Sequence, residues 1–221
     1  MPDPYRFTRE QIGEICAAQR FTPDLLVSAM VSALRQYYGS RERVGDMPGG
    51  GGSILWSEDP GERTIAIEPK FNWKSDDDSH VPGIFPGLGG IAPAGEARTL
   101  RMGEPNPSTF CGTCPETGDR VYRAYRNVSA SILCLAREYL SCWALAYDVQ
   151  TFAETYMGLV IDKIGMSHMS QPSASEPQPY QKRDGVFAAY VSFTAVAIDA
   201  WVLEKEGLPA TSLEINLSST I

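Results

Sequence analysis

The chain has 221 residues, of which 43% are apolar and 21% charged, as is ordinary for a globular protein that buries its own core. Its formal net charge of −8 and the lack of a long Lys/Arg run exclude a typical nucleic-acid surface, because such surfaces group cations on one face. No apolar run reaches the roughly 18 residues that a membrane span needs. The start, Met1-Pro2-Asp3-Pro4, lacks a signal-peptide core, and five unevenly spaced cysteines predict free thiols in a reducing compartment.

The first part of the chain predicts two helices. A short one follows a capping sequence at Thr8, within an N-terminal extension that we assign to residues 1–21. A clearer one is capped by Thr22, with Pro23 at its first position and Gly39 at its end. Its apolar side chains follow helical spacing and are Leu25, Leu26, Ala29, Met30, Ala33 and Leu34.

Short strands separated by turn residues are predicted next. They are Ser53–Ser57, Thr64–Glu68 and Phe71–Lys74. The apolar segment Val81–Gly90 is broken by Pro and Gly, and because proline cannot donate to a ladder, we expect this segment at a sheet edge. Residues 87–118, rich in Gly, Pro and Cys, are predicted to form a long loop insertion.

The second half of the chain predicts two long strands around a long helix. The first strand is Arg120–Ala136, in which Val128, Ala130, Ile132 and Cys134 are predicted to point to one face and Ser129 and Ser131 to the other. The helix Glu138–Ile164 follows it. We predict an apolar stripe on this helix that comprises Leu140, Trp143, Ala144, Tyr147, Phe152, Tyr156, Leu159 and Val160. After a loop at Ser170–Asp184, the second strand, Val186–Val202, is apolar on both faces, so we expect a helix or a neighbouring subunit to cover its second face. A short strand at Ser212–Leu217 ends the pattern.

Together these elements predict a single α+β domain over residues 1–221. It would consist of an antiparallel or mixed sheet with packed helices, including one long helix, and long Gly/Pro-rich loops.

The pair Cys111 and Cys114 is the motif closest to chemistry. A C-x-x-C sequence can be a redox pair or half of a zinc site. The Gly118-Asp119 pair that follows would end any helix, and a second C-x-x-C is missing, so free thiols in a turn are favoured while a metal site or a redox pair stays open. The two histidines, His80 and His168, stand in no nucleophile motif, and no catalytic or cofactor-binding residue is predicted.

The order of elements resembles the tail terminator and neck proteins of tailed bacteriophages. The resemblance covers residues 22–217. It rests on the early helix with Leu25-Leu26, the edge segment Pro82–Gly87, the strand-to-helix run Val128–Ile164, and a strand that ends in Asp199-Ala200-Trp201. No diagnostic motif accompanies the resemblance. The N-terminal segment, the glycine loop and the stretch Gly87–Gly118 depart from the smaller members of the group.

The resemblance implies a structural virion protein rather than an enzyme. Such a protein forms a homo-hexameric ring in the neck, caps the tail tube and docks it to the connector, beside the sheath, after assembly in the cytoplasm of the bacterial host. It implies no cofactor, no specific nucleic-acid binding and no membrane. The candidate assembly interface comprises Pro82, Ile84, Phe85, Tyr190, Phe193 and Trp201.

Two alternatives from other classes remain open. One is a metal- or thiol-dependent protein that uses Cys111 and Cys114. The other is a small-molecule-binding domain with a pocket lined by Trp143, Tyr147 and Trp201.

Overall fold

The computed structural model describes residues 22–39, 54–70, 81–93, 108–113 and 120–203. Several predicted elements lie outside these residues: the helix after Thr8, the glycine loop 49–52, the strand Phe71–Lys74 and the final strand Ser212–Leu217.

In chain order the described elements are one helix, four strands, a long helical segment and four more strands. Helix α1 spans Pro23–Tyr38, and strands β1 to β4 span Ala66–Ile67, Gly83–Pro93, Ser108–Thr113 and Arg120–Ala136. A continuous helical segment then comprises α2 (Tyr139–Phe152), a π-helical stretch (Ala153–Met157) and α3 (Gly158–Lys163). Strands β5 to β8 span Met166–Met169, Ser173–Ala174, Gln178–Pro179 and Phe187–Leu203.

These strands form one mixed sheet of eight strands in the described part of the chain. The main path is β1-β2-β4-β8-β5, while β3 pairs with β4 and both β6 and β7 pair with β8. The β1–β2 pair is parallel and the other described pairs are antiparallel. Strands β4 and β8 pair along their full lengths, from Arg120 opposite Leu203 to Ala136 opposite Phe187. The predicted α+β class is therefore confirmed, as are the predicted bounds of both long strands, to within one residue.

Helix α1 and the long helical segment cover one face of the sheet, called here the inner face. Helix α1 begins after Thr22, whose backbone is extended, and buries Leu26, Met30 and Leu34 completely. From β4 the inner face receives Val128, Ala130, Ile132 and Cys134, the alternation that the sequence predicts. The opposite face, called the outer face, has a smaller buried cluster made of Ala66, Phe85, Leu133, Leu135, Val186 and Ala188.

The segment predicted as a sheet edge is an edge for only part of its length. At the start of β2, Ile84 O accepts a hydrogen bond from Glu68 N at 3.2 Å and Pro86 O accepts one from Lys70 N at 2.8 Å. The other side of β2 pairs with β4. Pro86 is tolerated in β2 because its missing N–H would face the side on which β1 ends, and its carbonyl still accepts a hydrogen bond there.

The predicted loop insertion at 87–118 contains strand at both ends. Residues up to Pro93 belong to β2 and residues Ser108–Thr113 form β3, while 94–107 and 114–119 lie outside the described part. The predicted strand Thr64–Glu68 shortens to β1, and residues 54–57 form no strand.

The predicted loop at Ser170–Asp184 runs along the edge of β8 instead of leaving the sheet. Ser170 N donates to Thr194 O, and Thr194 N donates in return to the Ser170 hydroxyl, both at 2.8 Å. Ser175 repeats the pattern with Tyr190, at 2.8 and 2.9 Å. Serine hydroxyls here take the place of carbonyl acceptors, which keeps an irregular segment attached to the sheet.

The prediction that β8 is apolar on both faces is wrong for most of its described length. Val191, Phe193 and Ala195 are buried on the inner face, but Ser192 and Thr194 between them are exposed on the outer face. Among the described residues of β8, the outer face is buried at Ala188, where Tyr180 and Val186 of the same chain pack on it.

Candidate assembly surface on the long helix

The solvent-facing side of helix α2 carries large apolar side chains. Leu140 is 68% exposed, Trp143 45% and Tyr147 65%, and their spacing of three and four residues places them in one row. Leu159, in α3, is 65% exposed. We call Leu140, Trp143 and Tyr147 the exposed stripe. Exposed apolar side chains in a contiguous row mark interaction surfaces more often than free solvent faces.

The apolar stripe predicted for the long helix was expected to face the core. That prediction is wrong for the first half of the stripe, where Leu140, Trp143 and Tyr147 are exposed. The buried side of α2 is formed by Ser141, Cys142, Leu145, Ala146 and Val149. Because the helix is apolar on both sides, its periodicity does not determine which side faces the sheet. Only Phe152 of the predicted stripe is fully buried, with Tyr156 and Val160 half-buried.

A polar bridge fixes α2 against α1. The hydroxyl of Tyr38 donates to Asp148 Oδ2 at 2.6 Å, and that of Tyr37 donates to Asp148 Oδ1 at 3.2 Å. Burial raises the pKa of Tyr38 well above its ordinary value, and the charge of Asp148 and its hydrogen bond raise it further, so the phenol stays protonated and donates. Asp148 is half-buried and accepts two hydrogen bonds, and it thereby joins the two helices.

Aromatic and end contacts hold the rest of the helical segment. The ring of Tyr37 lies 5.0 Å from Phe152 and 5.9 Å from Tyr156, between centroids. At the N-terminal end, the Tyr139 hydroxyl donates to Glu176 Oε1 at 2.9 Å, and this bond raises the pKa of the Tyr139 phenol. The exposed stripe therefore sits on a helix fixed at both ends, which lowers the entropic cost of binding through it.

Three of the six predicted interface residues are buried within the subunit. Ile84, Phe85 and Phe193 are buried within the subunit because they alternate between the two covered faces of the sheet. Pro82 is half-buried and Tyr190 is 37% exposed on the outer face. Trp201, on β8, is paired with Tyr122 of β4, and the placement of the Trp201 side chain is outside the described part of the structure.

Of the two cysteines in the predicted C-x-x-C motif, only Cys111 lies within the described residues. Cys111 lies in β3 at a bulge between Phe110 and Gly112, where the sequence predicted a turn, and Cys114 is outside the described residues. The described residues hold no group of three or more His, Cys, Asp or Glu side chains able to bind a metal. Cys134 and Cys142 are free and buried. Burial raises the pKa of Cys142 to about 11, so this thiol is neutral and unreactive at neutral pH.

Two of the residues proposed to line a small-molecule pocket, Trp143 and Tyr147, are exposed on α2, and the side chain of the third, Trp201, lies outside the described residues. The described helices include none long and apolar enough to cross a membrane. No protein-family model matches this chain, and a search of curated proteins returned no match.

Proposed function

We propose that this protein is the subunit of a structural homo-oligomeric ring, of the kind found at the head–tail junction of tailed phages. The observation that carries the proposal is the exposed stripe Leu140–Tyr147. Three large apolar side chains on a helix that is fixed at both ends are costly to leave in water, and their burial against another subunit removes that cost.

The layered fold supports a ring rather than a two-fold dimer. The helices occupy the inner side of the sheet, so the exposed stripe lies on one side of the subunit and the outer sheet face on the other. On the outer face, Ser192 and Thr194 are exposed and Tyr190 is 37% exposed. In this proposal two different surfaces on opposite sides join head to tail, and such a heterologous contact forms a ring when the rotation between neighbours closes.

Charge agrees with the proposed place of the ring. The net charge of −8 disfavours tight binding to nucleic acid, as a conduit through which DNA passes requires. In this proposal the subunit performs no chemistry. Its partners are further copies of itself, the connector, the tail tube and the sheath.

Light scattering on the purified protein tests the oligomeric part of the proposal. The wild-type mass should be a multiple of the subunit mass of 24.2 kDa, six times that mass for a hexamer. The double variant Leu140→Asn/Tyr147→Asn should shift the mass towards one subunit at the same concentration.

Ile91→Asn is the matched control, because Ile91 is a 43% exposed apolar residue on β2, outside the exposed stripe. The control should keep the wild-type mass. A wild-type mass of one subunit at every concentration, or equal dissociation of the control and the double variant, would contradict the proposal.

A further inference from the structure

A cleft of about 530 Å³ opens on the outer face of the sheet, away from the exposed stripe. Its floor is formed by Leu133 from β4 and by Ala188 and Tyr190 from β8. Lys70 forms one wall, and the segment Ser175–Lys182 forms the other. This volume lies in the range typical of small-molecule sites, and an apolar floor with a polar rim is their usual composition.

The first wall is a lysine side chain laid across the sheet. Lys70 N donates to Pro86 O at 2.8 Å, which anchors its backbone to β2. A Cβ added at Gly87 would lie 2.9 Å from Lys70 Cβ and 3.0 Å from Lys70 Cδ, so the glycine leaves room for the lysine stem. The ammonium lies 5.1 Å from the centroid of the Tyr190 ring. This cation–π contact holds a positive charge above the cleft floor without neutralising it.

The second wall is held in place by backbone hydrogen bonds. Ser175 is bonded twice to Tyr190, and Tyr180 N donates to Val186 O at 2.8 Å. The carboxylate of Glu176 accepts the hydrogen bond from the Tyr139 hydroxyl, and so is engaged at the start of α2. The cleft is therefore a preformed feature of the fold and not a gap between mobile side chains.

The charge balance in the cleft is positive. Within the described part of the chain, neither the Lys70 nor the Lys182 ammonium forms an ion pair. Around them stand the side-chain amides of Gln178 and Gln181, which can donate hydrogen bonds. Glu176 also lines the cleft, so the lining carries two formal positive charges and one formal negative charge, an excess of one positive charge in a chain of net charge −8.

We propose that this cleft binds a small organic anion. A carboxylate or phosphate group is held by Lys70 and Lys182, and an apolar body lies over Leu133 and Ala188. The hydrogen bonds from the two ammonium groups are charge-assisted, which gives them about twice the strength of neutral ones. The cleft is built from one chain, but it shares Tyr190 with the outer face that the proposed ring places against a neighbouring subunit, so binding is measured at a concentration where the subunit is monomeric.

Calorimetric titration with four probes tests the ligand class. Phenyl phosphate and benzoate carry both an anionic group and a ring, inorganic phosphate carries the charge alone, and benzyl alcohol carries the ring alone. We expect saturable binding of at least one of the first two and weaker binding of the others. The methyl resonance of Ala188 should shift on binding, because it lies in the floor. A lack of saturable binding by both organic anions, or inorganic phosphate binding as tightly as phenyl phosphate, would overturn the proposal.

Two lysine variants test the residues. Lys70→Met keeps an apolar stem over Gly87 and removes the positive charge. Lys182→Met removes the positive charge at the exposed side of the cleft. Each should weaken binding roughly tenfold, the equivalent of one hydrogen bond to a charged group. Lys163→Met, at the exposed end of α3, is the matched control and should change nothing. If neither cleft variant weakens binding more than the control does, the proposed site is wrong. The Leu140→Asn/Tyr147→Asn variant should bind as tightly as the monomeric wild type, because neither residue lines the cleft.

Discussion

The hydroxyl of Tyr38 is a single group whose removal has a calculable cost. Its oxygen lies 2.6 Å from Asp148 Oδ2, and Tyr38 has no exposed surface. The variant Tyr38→Phe keeps the ring, which packs edge-on against Tyr37 at 5.0 Å between centroids, and removes one charge-assisted hydrogen bond. Hydrogen bonds to charged groups contribute about 1.5–3 kcal/mol, so we expect the free energy of unfolding to fall by about 2 kcal/mol. Tyr37→Phe should cost less, because its bond to Asp148 is longer, at 3.2 Å, and Tyr37 is only half-buried whereas Tyr38 is fully buried.

Urea denaturation followed by circular dichroism measures these losses at a concentration where the subunit is monomeric. A double-mutant cycle between Tyr38→Phe and Asp148→Asn isolates the coupling across the bridge between α1 and α2. Asp148→Ala should be at least as costly as Tyr38→Phe, since it leaves a buried hydroxyl without an acceptor. A loss below about 0.5 kcal/mol for Tyr38→Phe, or a larger loss for Tyr37→Phe, would refute the reasoning.

Three further predictions concern packing and ionisation. Leu145→Ala should cost about 2–5 kcal/mol in urea denaturation of the monomer, because Leu145 is fully buried, while Leu140→Ala should stay within about 0.5 kcal/mol. Equal losses would mean that α2 is rotated. Burial raises the pKa of the Cys142 thiol from 9.0 to about 11, so between these pH values the thiol stays neutral in the folded protein but ionises in the unfolded chain. The free energy of unfolding should therefore fall as the pH rises from about 9 towards 11. Cys142→Ala should make this slope shallower, and an unchanged slope would show that Cys142 does not cause the pH dependence. Gly87→Ala should cost about 1–3 kcal/mol in the same denaturation assay, since its Cβ would meet the stem of the lysine that crosses it, whereas Gly89→Ala, with 3.4 Å to its nearest neighbour, should be almost neutral.

The long elements of this fold are predictable from the sequence. Thr22, Pro23 and Gly39 mark the helix that is found between them, and strict alternation predicts β4 with its inner face. Both signals are local, because capping and two-residue periodicity depend on neighbouring residues alone. The fold class follows from them, since the alternation of long strands and long helices allows few layered arrangements.

The features that failed depend on what lies opposite each residue. On α2, Leu140 and Leu145 are equally apolar, and only packing against the sheet decides which of them is buried. For β8, Tyr190 and Val196 suggested a second apolar face, but the exposed Ser192 and Thr194 between them form most of that face.

The cleft and the polar bridge could not be predicted for a related reason. The cleft joins Lys70 to Tyr190, and the bridge joins Tyr38 to Asp148, over separations along the chain of more than 100 residues. No local pattern marks such pairs. The nearest signal for the cleft is Gly87, a glycine in a strand, which often indicates close approach of another group.

Electron microscopy of the purified protein tests the central claim most directly. We predict closed rings of a single size with a central opening, in which the exposed stripe is buried between subunits, and we predict that Leu140→Asn/Tyr147→Asn abolishes them while Ile91→Asn does not. Isolated subunits of 24.2 kDa at every concentration, or rings that persist in the double variant, would contradict the account.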